Sequence, residues 1–479
     1  MSDSVPMRWL IIVGGVLAAC GGNGEPPSSE APVTTAPKQP SVGGQTGQAG
    51  QASVPSQPSG NTGGAGSGAT TTAATSGGAG QGAPGSGGMQ APPTAAAGAD
   101  GASAGSNAAA AGQPATTPND PTSNPGVGTE QSKATGYGAM ATGGGSGPAR
   151  AAGSLAELQA AVDGYSGSGG LVLEYTGQFD FKTIPDPCTQ HTRDGQKLEI
   201  KDKSNISIIG RDGSAANFGI HIKSASENIV IRNMTLGLLP GGGDSDMISL
   251  EGMSGGIPKN VWIDHNELFS SLAECEGAGD TAFDGMIDIK KGVDNVTISY
   301  NYLHDHHKAT LNGYSDDDSQ TRHITYHHNV FESIGSRTPL QRHGFSHIVN
   351  NLFSKILVSG INVRMGGHAL VEANFFQDVK NPVTSRDSDA VGFWELRDNN
   401  LSSAADVAAG NRFGITWDDG DDGTLNALDW TTSEKFPMDL GYSYEAASWA
   451  CVRDGLRAVA GAGKKLATLT CSGESELNL

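Results

Sequence analysis

The tightest constraint on this chain is a short pattern that returns six times. It appears at Ile231-Arg232-Asn233-Met234, at Trp262-Ile263-Asp264-His265-Asn266 and at Ile298-Ser299-Tyr300-Asn301-Tyr302. It comes back at Ile324–Phe331, at Ile348–Phe353 and at Val371–Phe376. Each copy alternates apolar and polar residues, reaches an asparagine and resumes with apolar residues. Alternation of period two marks a strand with one buried face. The asparagines Asn233, Asn266, Asn301, Asn329, Asn351 and Asn374 lie 33, 35, 28, 22 and 23 residues apart. Strands repeating at such intervals, with no convincing amphipathic helix between them, point to a solenoid of stacked coils. Asparagines at one corner of successive coils would bond one another and the turn backbone. The competing arrangement is a β-sandwich with asparagines in its turns, but evenly spaced hairpin dipeptides are scarce. Residues 151–163 predict a short helix capping the solenoid, with Ser154 as its N-cap.

The repeat occupies only part of the 479 residues. Residues 21–133 contain no Trp, Phe, Tyr, Leu or Ile and consist largely of Gly, Ala, Ser, Thr, Pro and Gln. Such a stretch buries too little apolar surface to offset the entropy of ordering, and it is expected to be a disordered linker. Before it, Arg8 is followed by the apolar run Trp9–Ala19, too short to span a bilayer and suited to a signal peptide of residues 1–20. The run ends in Leu17-Ala18-Ala19-Cys20, which resembles the lipobox of bacterial lipoproteins. That resemblance implies a lipid on Cys20 and a chain exported and held at the cell surface. The plainer reading is an ordinary secretory signal. Residues 134–479 remain as one folded domain.

Net charge is −20, and residues 1–133 carry six acids and three bases, so about −17 belongs to the domain. That balance argues against nucleic acid as a partner. An anionic ligand would need a locally basic, cation-bridged cleft. With Cys20 set aside, Cys188, Cys275, Cys451 and Cys471 form an even set suited to an oxidising compartment, without zinc-like spacing. Four carboxylates cluster: Asp244 and Asp246, two apart on a strand and so sharing a face, and Asp284 and Asp288, which share one if their strand stays regular. Convergent carboxylates without a thiolate suit Ca²⁺. Histidines cluster at His304, His306 and His307 and at His323, His327 and His328. A zinc site is conceivable there, but HExxH is absent, and histidines filling turns in a stacked fold are the simpler expectation.

Several segments resemble the extracellular pectate lyases, a superfamily of right-handed parallel β-helices. They are Asn260-Val261-Trp262-Ile263-Asp264-His265, Asp284–Lys290, Val296–Tyr302, Arg337-Thr338-Pro339-Leu340-Gln341-Arg342, Gly360–Arg364 and Asn381-Pro382-Val383. The likeness covers about residues 150–475. It implies an all-β parallel β-helix, and a monomeric enzyme that cleaves (1→4)-α-D-galacturonan by β-elimination with Ca²⁺ as cofactor. It implies that Asp246, Asp284 and Asp288 ligate calcium and that Asp244 ligates further calcium when substrate is bound. Asp284 stands where the family often has Glu, one methylene longer. Arg337 matches the base that removes the C5 proton. Lys308 would stabilise the charge that develops, and Lys290, Arg342 and Arg364 match residues that bind uronate carboxylates. Cys188 with Cys275, and Cys451 with Cys471, match the family's disulfides. Two rivals remain: a pectin lyase acting on methyl-esterified polymer, whose branch lacks the calcium carboxylates, and an inactive adhesin that grips polysaccharide through the same groove.

Overall fold

The computed structural model describes residues 123–400, 411–418, 423–428 and 430–472. The signal segment, Cys20 and most of the linker therefore lie outside the described residues. The solenoid is built from three sheets of ten, nine and six strands. One coil shows the plan: strand Asp294–Ser299 in the ten-stranded sheet, Tyr302–Lys308 in the six-stranded sheet, then Thr310–Asn312 in the nine-stranded sheet. Each strand pairs in parallel with its equivalents one coil before and after. Apolar side chains therefore stack in columns along the interior. Ile231, Ile263, Ile298, Tyr326, Ile348 and Val371 occupy one register position in six successive strands, all buried. Phe331, Phe353 and Phe376 stack ring on ring at 5.2 and 4.7 Å.

The asparagine ladder runs along the corner between the ten- and six-stranded sheets. Asn266, Asn301, Asn329, Asn351 and Asn374 each donate their amide to the next asparagine's carbonyl oxygen at 2.9–3.1 Å. Each also donates to a backbone carbonyl inside the corner. Two details differ from the sequence reading. Asn233 is not a rung, because the register places Met234 opposite Asn266. It sits one residue earlier with φ of 56° and bonds the preceding coil at Gly210 and Asp212. The ladder also runs one rung further, to Asn399.

Helix Leu155–Asp163 covers the start of the solenoid, with Ser154 accepting from the Glu157 amide. It buries Leu158 and Val162 and is tied by Gln159 to Glu199 of strand Lys197–Lys201. A second helix, Trp449–Val459, was not expected from the sequence. The folded part also begins earlier than residue 134. Pro125–Glu130 pairs antiparallel with Ala467–Cys471. That pairing uses main-chain groups, so it needs none of the apolar side chains the segment lacks. Disulfides join Cys188 to Cys275 and Cys451 to Cys471.

Candidate active site

Strand Ile287–Lys290 carries Asp288 and Lys290 on the nine-stranded sheet, and the turn before it carries Asp284. The turn before the neighbouring strand, Ile248–Glu251, carries Asp246. Asp246 thus precedes its strand instead of lying on it. Asp244 ends a 3₁₀ turn, Gly242–Asp244, and its side chain lies outside the described residues. Parallel pairing of the two strands nonetheless brings carboxylate oxygens of Asp246, Asp284 and Asp288 within 4.8 Å of one another. Gly285 makes this approach possible, because a Cβ there would lie 2.2 Å from Asp288 Oδ1.

Three carboxylates so close resist joint ionisation. Burial, with Asp246 beside it, pushes Asp284 up to about 7. Burial and the same neighbour raise Asp288 well above the carboxylate range. Burial works against ionisation of Asp246 too, but Lys290's charge and hydrogen bond hold its carboxyl below the ordinary value. Lys290 Nζ bonds Asp246 and lies 3.7 Å from Asp288. The pull of Asp288 and Asp246 outweighs its burial and keeps it charged. Even so, Asp246 Oδ1 and Asp288 Oδ1 are buried without a hydrogen-bond partner among the described residues. An all-oxygen donor set with two unspent buried oxygens and excess negative charge fits a hard divalent cation, Ca²⁺ above all.

Two histidines shape this cluster from behind, and the sequence reading gave neither a role there. His306 is buried and neutral, its pKa pushed down to about 3 by burial. Its Nε2 donates to the Asp284 carbonyl at 2.5 Å, and its Nδ1 accepts from the Lys308 amide at 3.3 Å. One ring therefore fixes the Asp284 turn and Lys308 together. His221, lowered to about 4 by burial and then Lys197, donates from Nε2 to the Asp246 carbonyl at 3.2 Å.

The basic residues approach from the following coils. Lys308 ends strand Tyr302–Lys308 and pairs in register with Ser336, so Arg337 begins the turn one coil on. The two chains stay joined there, with the Thr310 amide donating to the Arg337 carbonyl at 2.8 Å. Lys308 Nζ lies 3.5 Å from exposed Asp280. Arg337 has φ of 66°, a left-handed conformation unusual for a residue with a Cβ. Its guanidinium makes no hydrogen bond or ion pair among the described residues. Burial lowers its pKa below the usual arginine value; Asp288 opposes this and Arg342 adds to it. Arg342 and Arg364 pair in register on successive strands. Arg342 donates to Asp316 Oδ1 at 2.6 Å and to the Gly313 carbonyl. Arg364 donates to the Asp387 carbonyl, and burial takes its pKa down to about 10. Lys308, Arg337 and Asp284 therefore lie at the turn leading into the nine-stranded sheet, and Asp288, Lys290, Arg342 and Arg364 lie on the strands of that sheet.

The most recognisable sequence segment lies elsewhere. Asp264 is buried on the ten-stranded sheet, where it accepts from Arg232 at 2.8 Å, His265 at 2.7 Å and Ser299 at 2.6 Å. Arg232 lies over the Trp262 ring and donates to the Gln131 carbonyl, while His265 Nε2 donates to the Ala467 carbonyl. This network pins the segments at both ends of the fold to the sheet. His265, Tyr300 and His328 stack at 4.8 and 4.7 Å on left-handed turn residues, the packing role expected of histidines.

Known proteins resemble this chain in sequence and in fold. The profile of the family described as Pectate lyase matches residues 123–465. Pectate lyase B of Dickeya chrysanthemi is 46% identical over 310 residues, covering 63% of this chain and 80% of that protein. Pectate lyase 3 of Pectobacterium carotovorum shows the same identity and coverage. Among solved structures, pectate lyase II of Xanthomonas campestris aligns with a TM-score of 0.67 at 51% identity, covering 70% of this chain and all of that one. Pectate lyase C of Erwinia chrysanthemi, solved with Ca²⁺, aligns at 0.66 and 40% identity, covering 71% of this chain and 99% of that one. A mutant of that enzyme was solved with pentagalacturonic acid. Family profile, relatives and fold converge on one conclusion: this chain belongs to the pectate lyase family of polysaccharide lyases.

Proposed function

We propose that this protein is a calcium-dependent pectate lyase cleaving (1→4)-α-D-galacturonan by β-elimination, to leave 4,5-unsaturated oligogalacturonates. The observation that carries the reading is the joining of Asp246, Asp284 and Asp288 in one buried group, with Lys308 and Arg337 on the adjoining coils. Ca²⁺ held by those carboxylates would supply a positive charge for a uronate carboxylate and so favour loss of the proton alpha to it. Lys308 adds charge at the same group as negative charge develops there. Arg337 takes the proton from C5, for which a lowered pKa and an unpaired guanidinium equip it. The electron pair passes to the C4–C5 bond, the C4–O bond breaks, and the departing oxygen takes up a proton from solvent while Arg337 returns its own to solvent, so no net water is consumed. Paired acid and base carboxylates of the hydrolase kind are then unnecessary. Arg342 and Arg364 hold neighbouring uronate carboxylates. Lys290 steadies the negative charge of Asp246 and Asp288 and, with a cation held there, would be free to meet substrate. Asp244 serves as a further calcium ligand with substrate bound. The pectin lyase alternative is disfavoured by the complete carboxylate set, and the adhesin by the unpaired Arg337 beside it.

We infer export from the signal-like sequence of residues 1–20, and lipid on Cys20 would hold the catalytic domain at a membrane. Lipid labelling that is lost in Cys20→Ser supports the tether; equal labelling of both proteins removes it. The reaction class is tested with trigalacturonate in ¹⁸O-water. Elimination gives an unsaturated product without label, whereas labelled saturated products would establish hydrolysis.

A further inference from the structure

The cationic line on the nine-stranded sheet continues past the residues assigned above. Asn362 pairs in register with Thr384 on the next coil, and Arg386 follows two residues later. Arg342 and Arg364 thus occupy one position on two successive coils, and Arg386 lies on the coil that follows, just past the end of strand Val383–Ser385, where Arg364 itself bridges Val391. Neighbouring strands lie roughly 4.8 Å apart, close to the advance per residue of a 1,4-linked pyranose chain. A polyuronate lying along the solenoid axis would meet one arginine per coil.

The state of Arg386 suits that role. Its side chain makes no hydrogen bond among the described residues and forms only two long ion pairs, 3.4 Å to Asp387 and 3.7 Å to Asp418. Its guanidinium donors are therefore largely unspent. Asp387 shows what they accept. One carboxylate oxygen of this exposed residue lies 3.5 Å from Arg364 Nη2 and 3.4 Å from Arg386 Nε. The two guanidinium groups already share a carboxylate, supplied by a side chain that is more than half exposed to solvent. Asp418 is half-exposed and is itself held by Lys380 at 3.0 Å.

We infer that Arg364 and Arg386 together form a further carboxylate-binding site, with Asp387 as its internal placeholder, that grips a uronate beyond the reach of Arg342. The inference rests on the lyase reading, and the two fail differently. Absence of elimination in the wild type would defeat the reading, whereas the site is judged by how KM depends on substrate length. Arg386→Gln should raise KM roughly three- to tenfold on polygalacturonate, the range for one partly solvated charge-assisted contact. The rise should shrink steadily toward trigalacturonate, and kcat should stay within twofold. A KM change independent of length, or none on the polymer, overturns the site. Arg386→Lys should recover part of the affinity. Asp387→Asn removes the placeholder and keeps the arginines, so it should lower KM on the polymer and leave trigalacturonate unchanged. Unchanged or raised KM on the polymer in that variant counts against the proposal, even if Arg386→Gln fails to fold.

Discussion

Replacing Arg337 by lysine separates proton abstraction from every other role the residue could have. The side chain is largely buried and makes no hydrogen bond or ion pair among the described residues, so the change breaks no scaffold contact of that kind. The left-handed backbone at φ of 66° burdens lysine as it does arginine. Stability should therefore change by less than about 1 kcal/mol. Proton affinity alone predicts a faster enzyme, because lysine titrates near 10.4 and arginine well above it. Geometry predicts the opposite. The amine is a single point on a shorter reach and loses the planar fork. General-base catalysis contributes about 10²–10⁴-fold, or about 2.7–5.5 kcal/mol of barrier. A loss of kcat in that range is expected, with KM and calcium affinity near wild type. In the wild type, burial lowers the Arg337 pKa, and the deprotonated fraction of such a base grows with pH, so the rate should climb from neutral into alkaline solution. The assay is initial rate on polygalacturonate across pH, with a thermal melt as control. A variant within a few-fold of wild type, or one defective only in KM, refutes the assignment and makes Lys308 the better base.

Asp288→Asn removes a charged ligand from the carboxylate group, and calcium titration should show an affinity loss of at least tenfold with the fold intact. Asn329→Ala deletes two donated and two accepted hydrogen bonds in mid-ladder. With the Asn301 backbone N–H left buried and unpaired, and its side-chain amide keeping only the Ile263 carbonyl, denaturant unfolding should show a cost of roughly 2–4 kcal/mol; a loss below 1 kcal/mol would make the ladder ornamental. His306, His221 and His327 are held neutral by burial, with pKa values near 3, 4 and 4. The unfolded chain takes up their protons below the ordinary 6.5 while the folded chain does not, so stability is full above 6.5 and falls as pH drops, by up to about 1.4 kcal/mol per unit for each. A flat profile between the ordinary value and about 4 would contradict their burial.

How much of this was legible in the sequence depends on the kind of interaction. The ladder was legible because each rung needs the same amide at the same corner. Asn233 misled, being an asparagine chosen for its left-handed φ one residue before the corner. Asn399 escaped because its segment, Leu396-Arg397-Asp398-Asn399-Asn400, lacks the apolar residues that follow the other rungs. Pairing of Pro125–Glu130 with the C-terminal strand is carried by main chain and leaves no side-chain signature. The helix Trp449–Val459 did leave one, in Ser448 ahead of Val452, Leu456 and Val459 on one face, which the strand repeat overshadowed. Sequence spacing alone gave only two pairs of aspartates. Their convergence required the register of two parallel strands, and the family resemblance supplied what spacing lacked. His306 and His221 were invisible as site residues because their work is done on the backbone of other coils.

The central claim is that elimination depends on a cation held by Asp246, Asp284 and Asp288 and on the basic residues beside it. The most direct measurement is the ultraviolet absorbance of the unsaturated product from polygalacturonate, followed with the wild-type protein after exhaustive chelation and again as Ca²⁺ is restored. The account predicts that the absorbance stops rising on chelation and recovers with added Ca²⁺. Undiminished formation of the unsaturated product in chelated protein would contradict it.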